Sequence, residues 1–462
     1  MGLEIVVLAA GQGTRMRSKL PKVLHRLAGR PLLAHVLAAA RALSPERIHV
    51  VVGHAAEAVK ATFDTASDVR WVHQAEQLGT GHAVKQALPG VDPRSSVLVL
   101  FGDVPLVSPA TLEACRAHAG EGIAVVTVEM ARPASLGRIV RDGDGAIRAI
   151  VEARDATAEQ LAIREINSGI LCAPARHLRE LLDAVEPHNA QGEFYLTDVI
   201  GLAVGRGIPV RSVAAAREEE VSGVNDRVEL AALERCFQRR EAQRLMRAGV
   251  SLMDPARFDV RGEVTAGRDC VIDIDVVLEG RVVLGEDVRI GAGCVIKDAE
   301  IGDGAQIHPH TVIDGARIGR ACEIGPFARM RPGSDLADQV KIGNFVETKK
   351  TKLGRGTKSN HFAYLGDTTT GEDCNIGAGT IMCNYDGVAK HATVLGDGVF
   401  IGSNATIVAP IEIADGAYVA AGSTVTSRVE RGDLAVGRAK QRNIQGWTPP
   451  AKRKHGEKKK HP

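Results

Sequence analysis

Two hydrophobic periods divide the chain. In the first half, short aliphatic and β-branched runs at Ile5–Ala9, Ile48–Val52, Val97–Phe101 and Ile123–Val128 predict strands. Helical patterns lie between them, as at Leu32–Ala42 and Pro109–Ala119. This alternation predicts an α/β domain with a mostly parallel sheet, which binds ligands at the carboxyl ends of its strands. A longer helix is predicted from about Arg227 to Gly249. Its apolar positions are Val228, Leu230, Leu233, Phe237, Leu245 and Met246, and Gly249 is its stop. It reads as a connector or as the last helix of the first domain, and the two are compatible.

Beyond it the period becomes six. Aliphatic residues recur at Ile272, Leu278, Leu284, Ile290 and Ile296, then at Ile301, Ile307 and Ile313. They continue at Ile318, Ile324, Met330, Leu336 and Ile342, and again at Leu395, Ile401, Ile407, Ile413, Val419 and Val425. Gly often follows, as at Gly285, Gly291, Gly319, Gly343 and Gly402. This pattern predicts a parallel β-helix whose stacked coils bury one aliphatic prism. The larger breaks fall at Thr348–Lys352, Ser359–Tyr364 and Cys383–Lys390, which predicts loops carrying function on one face.

Composition adds constraints. Of 462 residues, 50 are Gly and only 3% are aromatic, which suits a Gly-punctuated repeat rather than two large mixed cores. No apolar run is long enough to cross a membrane, so no stable membrane insertion is expected. The start lacks a basic, cleavable leader pattern, and the eight scattered cysteines form no C-x-x-C. They read as small apolar residues in a cytoplasmic protein, not as a disulfide frame or zinc site. The net charge of +2 hides a tail, 451–462, with six Lys or Arg against one Glu. It reads as a solvated, disordered segment, and nucleic-acid binding is not expected because aromatics are not interleaved.

The first candidate chemistry follows the first strand, in Leu8-Ala9-Ala10-Gly11-Gln12-Gly13-Thr14-Arg15, with Lys22 after it. It is neither a P-loop nor G-x-G-x-x-G. Small residues let the backbone approach a nucleotide, and Arg15 and Lys22 add charge for a triphosphate. A tight strand–loop–helix turn would look the same. Asp103 closes an apolar strand with a carboxylate, a position suited to Mg²⁺ or to a simple turn cap.

The Leu8–Arg15 loop resembles the signature of sugar-nucleotide pyrophosphorylases. That resemblance extends to Gln74-Ala75-Glu76-Gln77-Leu78-Gly79-Thr80, implying that Gln74, Gly79 and Thr80 read the uracil edge. It also implies Leu8, Ala9, Ala10, Gly11 and Lys22 as nucleotide contacts, and Asp103 with Asn225 as the Mg²⁺ contacts. Gly137, Glu152 and Asn167 would hold the sugar. The segment Asn189–Asp198 is also family-like, with no contact assigned. The sequence departs from the pattern at Gln12, Phe101, Leu136 and Ser168, which bears on affinity rather than reaction type.

The second half adds Arg329-Met330-Arg331-Pro332, Asn344-Phe345-Val346-Glu347-Thr348-Lys349, Asn360-His361-Phe362-Ala363-Tyr364 and Asn384-Tyr385-Asp386-Gly387. With both halves in this order, from about residue 3 to about 447, the chain resembles bifunctional N-acetylglucosamine-1-phosphate uridyltransferase/glucosamine-1-phosphate acetyltransferases. The resemblance implies that Arg331, Lys349, Tyr364, Asn375 and Lys390 bind the sugar phosphate. It implies Ala378, Asn384, Tyr385, Ser403, Ala421 and Arg438 as contacts to acetyl-CoA. His361 would be the general base, since an amine attacking a thioester must lose a proton. A corner histidine in a repeat can also be plain surface. His308-Pro309-His310 has metal-like spacing but sits in a regular repeat and reads as surface.

The expected architecture is an α/β nucleotide-diphospho-sugar transferase (Rossmann-like) domain over 1–227, then a connecting helix over 228–248. A parallel β-helix of hexapeptide repeats follows over 249–450, left-handed by resemblance. Relatives of this kind are homotrimers with the acetyl site between subunits. They use acetyl-CoA, UTP and Mg²⁺ to make UDP-N-acetylglucosamine for peptidoglycan and lipopolysaccharide. Two rivals are an inert β-helix scaffold and a sugar-nucleotide sensor without catalysis.

Overall fold

The computed structural model describes residues 2–53 and 55–447; the basic tail lies outside them. The chain forms two compact units. One runs to Val264 and takes in Val277–Val282, and the other comprises Thr265–Val276 and the chain from Val283 on.

The first unit is built on β1 (Leu3–Ala9), β2 (Arg47–Val52), β3 (Val69–His73), β4 (Ser96–Phe101) and β5 (Ile123–Glu129). It continues with β6 (Arg138–Arg141), β7 (Ile147–Val151), β8 (Glu165–Pro174) and β9 (Val210–Ala214). The sheet order is β9-β5-β8-β4-β1-β2-β3, with β6 pairing to β8 and to β7. Only β8 runs antiparallel to its neighbours on that path. Every residue of β1 is buried, as a strand covered on both faces requires. Ile5 and Val7 pack with Leu33, Val36 and Leu37 of α1 (Leu32–Arg41) and with Leu112 and Cys115. Val6 and Leu8 pack on the opposite side with Ala83 and Val84 of α2 (Thr80–Ala87). The helix α3 is Pro109–Ala119, capped by Ser108, whose hydroxyl accepts from the Thr111 N–H.

The long helix α4 spans Arg227–Arg247, and the Asp226 carboxylate caps it by accepting from the N–H groups of Val228 and Glu229. Its buried positions are Leu233, Gln238, Ala242 and Leu245. Val228 and Met246 face solvent, at 78% and 37% exposure, contrary to the apolar stripe read from sequence. Both lie in the terminal turns of the helix, and the packed face instead includes a polar residue, Gln238. Its amide donates to the Val260 carbonyl at 2.8 Å and accepts from the Val260 N–H at 2.7 Å. A buried amide satisfied on both sides costs little, so the packed stripe need not be all apolar.

In the second unit, short parallel strands stack coil upon coil. One row runs Ile272, Ile290, Ile307, Ile324, Ile342, Ser359, Ile376, Ile401 and Val419 in register. A second runs Ile296, Ile313, Met330, Thr348, Leu365, and a third Ile301, Ile318, Leu336, Leu353. Every aliphatic position read from the six-residue period is buried. Two of the three predicted loops are not loops. Thr348, Ser359 and Thr370 occupy inward places on paired strands, at 6% exposure or less. Here the prism switches from aliphatic to hydroxyl side chains, because a hydroxyl can bond a neighbouring coil. Thr351 Oγ1 donates to the Leu365 carbonyl at 2.6 Å and Thr357 Oγ1 to that of Gly371 at 3.1 Å. Only Cys383–Lys390 interrupts a coil.

Candidate active sites

In the first unit the site forms where β1 and β4 end side by side. Gly13 sits at φ 62°, and a side chain there would lie 2.7 Å from Lys22 Cβ, so the loop folds down onto Lys22 only because residue 13 is Gly. Met16 is buried beside Val224 in one apolar cluster, which fixes the loop against the segment carrying Asn225. Four predicted residues thereby converge. The Lys22 ammonium pairs with Asp103 and reaches Asn225 Oδ1 at 3.3 Å, and Arg15 donates to the same Oδ1 at 3.0 Å. The Val224 N–H bonds the Asp103 carbonyl at 2.9 Å, and the Asn225 N–H bonds Glu229 at 2.6 Å. The oxygens of Asp103 and Asn225 thus share one cation. Hard oxygen donors of this kind fit a divalent cation that takes its other ligands from phosphate. Among the described residues, no cluster of three or more His, Cys, Asp or Glu offers an alternative metal site.

A cavity opens above this cluster. Leu8, Ala9, Ala10, Gly11, Lys22, Gln74, Gly79, Thr80 and Asp103 line it, together with Val23, Gln77, Ala83, Phe101 and Glu193. A side chain at Gly11 would meet nothing within 4 Å, so the backbone there is open to a ligand. Gln74 is buried, and its amide nitrogen bonds the Gly79 carbonyl at 3.3 Å and His82 Nδ1 at 3.0 Å. The sequence reading missed the role of Asn189–Asp198. The Gly81 N–H bonds the Phe194 carbonyl and the Phe194 N–H that of Leu78, both at 2.8 Å, bracing the Gly79–Thr80 turn. At Gly79, φ 112°, a side chain would lie 2.5 Å from the Phe194 carbonyl oxygen.

Gly137, Glu152 and Asn167 form a second group beside the cavity rather than lining it. The Asn167 N–H bonds the Gly137 carbonyl at 2.9 Å, and Gly137 lies against the Glu152 carboxylate. Burial pushes the Glu152 carboxyl above its ordinary range, and Asp198 and Asp155 add to this while Thr197 opposes it. Phe101 stands between the groups, lining the cavity and packing on Gly169. Ser168 turns its hydroxyl to the Val126 carbonyl at 2.7 Å, so its role is in the irregular register of β8. Leu136 and Gln12 are exposed.

In the second unit, Lys349 and Tyr364 lie on adjacent strands of one sheet, Arg331 follows the preceding strand of that sheet, and Lys390 reaches Lys349 from the inserted loop. The Lys390 ammonium, with Arg331 behind it, holds Lys349 below the ordinary lysine range; Asp367 only partly opposes this. Arg331 is aimed by Glu347 at 2.8 Å. Asn384 donates to Asp367 at 2.5 Å, and the loop around Tyr385 closes on itself through Tyr385–Lys390 pairing and the bond from His391 to Asp386 at 2.7 Å. The two backbone N–H groups and the imidazole around Asp386 hold its carboxyl far below the ordinary range.

His361 is exposed at a corner, and its Nδ1 lies 2.8 Å from Asn344 Oδ1. Ala378, Ser403 and Ala421 continue up the same corner, joined through the bonds Asn404 N–H to Ala378 and Gly422 N–H to Ser403, and Arg438 bonds the Ala421 carbonyl at 2.5 Å. Asn375 is apart from the cation cluster, on the neighbouring sheet between Lys358 and Phe400. His310 is exposed and stacks on Phe327, with ring centroids 5.0 Å apart. All eight cysteines are free.

The MobA-like NTP transferase domain model matches residues 5–193. The GMPPB C-terminal domain matches 260–353, and the bacterial transferase hexapeptide (six repeats) matches 392–427. The bifunctional protein GlmU of Marinobacter nauticus is 55% identical over 451 residues, covering 97% of this chain and 99% of its own. Those of Alkalilimnicola ehrlichii and Stutzerimonas stutzeri are each 54% identical, over 98% of this chain and 97% and 100% of theirs. The chain belongs to the bifunctional GlmU family. As a GlmU-family chain it is a bifunctional transferase, with an N-terminal uridyltransferase domain and a C-terminal hexapeptide acetyltransferase domain. Nucleotidyl transfer in the GlmU family generally uses a divalent metal, and hexapeptide-repeat proteins usually oligomerise. No helix among the described residues is long and apolar enough to cross a membrane.

Proposed function

We propose that the two clusters are the two active sites, and that they act in sequence on one sugar phosphate. Acetyl passes from acetyl-CoA to glucosamine 1-phosphate in the β-helix, and the product joins UTP in the α/β unit, giving UDP-N-acetylglucosamine and pyrophosphate. The proposed domains are 1–227, the helix 228–248 and the left-handed β-helix 249–450, in a cytoplasmic homotrimer. The observation that carries this reading is the convergence of Arg15, Lys22, Asp103 and Asn225 from three distant segments at the strand ends.

For uridylyl transfer, a phosphate oxygen of N-acetylglucosamine 1-phosphate attacks the α-phosphorus of UTP and the bond to pyrophosphate breaks. Arg15 and Lys22 hold phosphate oxygens by charge-assisted bonds, and Gln74, Gly79 and Thr80 position the base. Asp103 and Asn225 would hold Mg²⁺, which offsets negative charge on the phosphates. Gly137, Glu152 and Asn167 take the sugar hydroxyls.

For acetyl transfer, Arg331, Lys349 and Lys390 hold the phosphate of glucosamine 1-phosphate, with Tyr364 and Asn375 on the sugar. Ala378, Asn384, Tyr385, Ser403, Ala421 and Arg438 line the acetyl-CoA path. The amine attacks the thioester carbonyl, His361 Nε2 takes the amine proton, and CoA leaves as its thiol. The test follows thiol release from glucosamine 1-phosphate with acetyl-CoA and, in a separate assay, pyrophosphate release from N-acetylglucosamine 1-phosphate with UTP and Mg²⁺. Asp103→Ala should stop pyrophosphate release and spare thiol release, and His361→Ala the reverse. If either variant kept both rates, its cluster would lose the assignment.

A further inference from the structure

The aromatic corner beside His361 shows how its imidazole is held. His310, Phe327, Phe345 and Phe362 stack on successive coils, with ring centroids 5.0, 5.5 and 5.1 Å apart. All four residues have positive φ, between 46° and 60°, a conformation that side chains rarely adopt and that the repeated corner imposes. Phe345 directly follows Asn344, and Phe362 directly follows His361. The Phe362 N–H also bonds the Asn344 carbonyl at 3.1 Å. Asn344 and His361 are therefore clamped one above the other, in register on adjacent strands. The ladder stops at the next coil, where Gly379 takes the corner and its N–H bonds the His361 carbonyl at 3.3 Å. The outer face of the Phe362 ring is left without a further ring in the ladder.

From this geometry we infer that Asn344 is a positioning residue for acetyl transfer, fixing the tautomer and direction of the His361 ring. The inference rests on the reading of His361 as the base. The Asn344 amide oxygen can only accept, so a bond of 2.8 Å to Nδ1 places the ring proton on Nδ1. Nε2, which has no partner among the described residues, then carries the lone pair that takes the amine proton. The logic is that of any base oriented by a third group.

The test uses the full chain with Asn344→Ala and Asn344→Asp, alongside His361→Ala. Uridylyl transfer on the same preparations reports folding. Asn344→Ala should lower kcat for acetyl transfer about tenfold or more, with KM for both substrates changed by less than about twofold. Asn344→Asp keeps an acceptor facing Nδ1 and should retain most of kcat. Full kcat in Asn344→Ala, a loss confined to KM, or an Asp variant as slow as the Ala variant would each overturn the inference. If His361→Ala itself kept full acetyl transfer, the base assignment would fall instead, so the two failures are distinguishable.

Discussion

At the scale of single residues, Lys349 and Lys390 form a pair whose repulsion only an anion relieves. Lys390 lowers the Lys349 pKa because two ammonium groups close together disfavour double protonation. A phosphate dianion between them would restore both charges. A Lys390→Ala chain should therefore lose little or no thermal stability while its KM for glucosamine 1-phosphate rises about tenfold, since a charge-assisted bond contributes about 1.5–3 kcal/mol. Unchanged KM would remove Lys390 from the phosphate site. Glu152 is the opposite case, a carboxyl that burial prefers neutral. Its raised folded-state pKa means that the contribution to stability is fully present below the ordinary glutamate value and is lost as pH rises through the raised one. Glu152→Gln should match the parent below about pH 4 and melt about 1–2 °C higher near pH 7, while KM for the sugar phosphate increases. Melting curves at both pH values check the sign, and a neutral-pH drop in the Gln variant would refute the burial argument.

At the scale of elements, the hydroxyl-lined coils make a paired prediction. Thr351 Oγ1 bonds the Leu365 carbonyl, whereas the buried Ser359 Oγ has no partner among the described residues. Thr351→Val should destabilise by about 1 kcal/mol and Ser359→Ala should be neutral or stabilise by up to about 1 kcal/mol. Denaturant unfolding gives both; equal losses would show that the hydroxyls are interchangeable. The same coils mark where sequence reading stops. The aliphatic period gave the β-helix and its register because nonpolar burial leaves a strict mark at Ile290, Ile307 and Ile324. It could not anticipate Thr348 and Thr351 pointing inward, since a satisfied hydroxyl mimics an apolar position only in three dimensions. In the α/β unit, Lys22 and Asp103 were legible from motif and strand end. The bracing of Gly79 by Phe194, and the Asn344–His361 bond, were not, because each joins residues through backbone pairing that no local pattern records.

At the scale of the whole molecule, the acetyl site poses a geometric problem that its oligomer would solve. Arg331, Lys349 and Tyr364 point from one sheet of the prism, Asn375 from the next, and His361 marks the corner between them. Outward faces of a convex prism diverge from their shared edge, so one β-helix cannot close both around a sugar phosphate. A second copy, laying its Asn375 face against the Lys349 face of the first, can. Homo-oligomers with cyclic symmetry repeat such a contact at every interface. This makes complementation the decisive measurement. Lys349→Ala and Asn375→Ala homo-oligomers should each lose acetyl transfer at least about tenfold. When the two are co-expressed with different tags and the mixed oligomers isolated, each mixed assembly of the proposed homotrimer contains one interface built from two unaltered faces. Acetyl transfer should then return to roughly a third of the parent value per trimer, while uridylyl transfer stays at parental level throughout. Mixed oligomers no more active than either variant alone would mean that Lys349 and Asn375 serve the same chain, and the site would have to be rebuilt around a single copy.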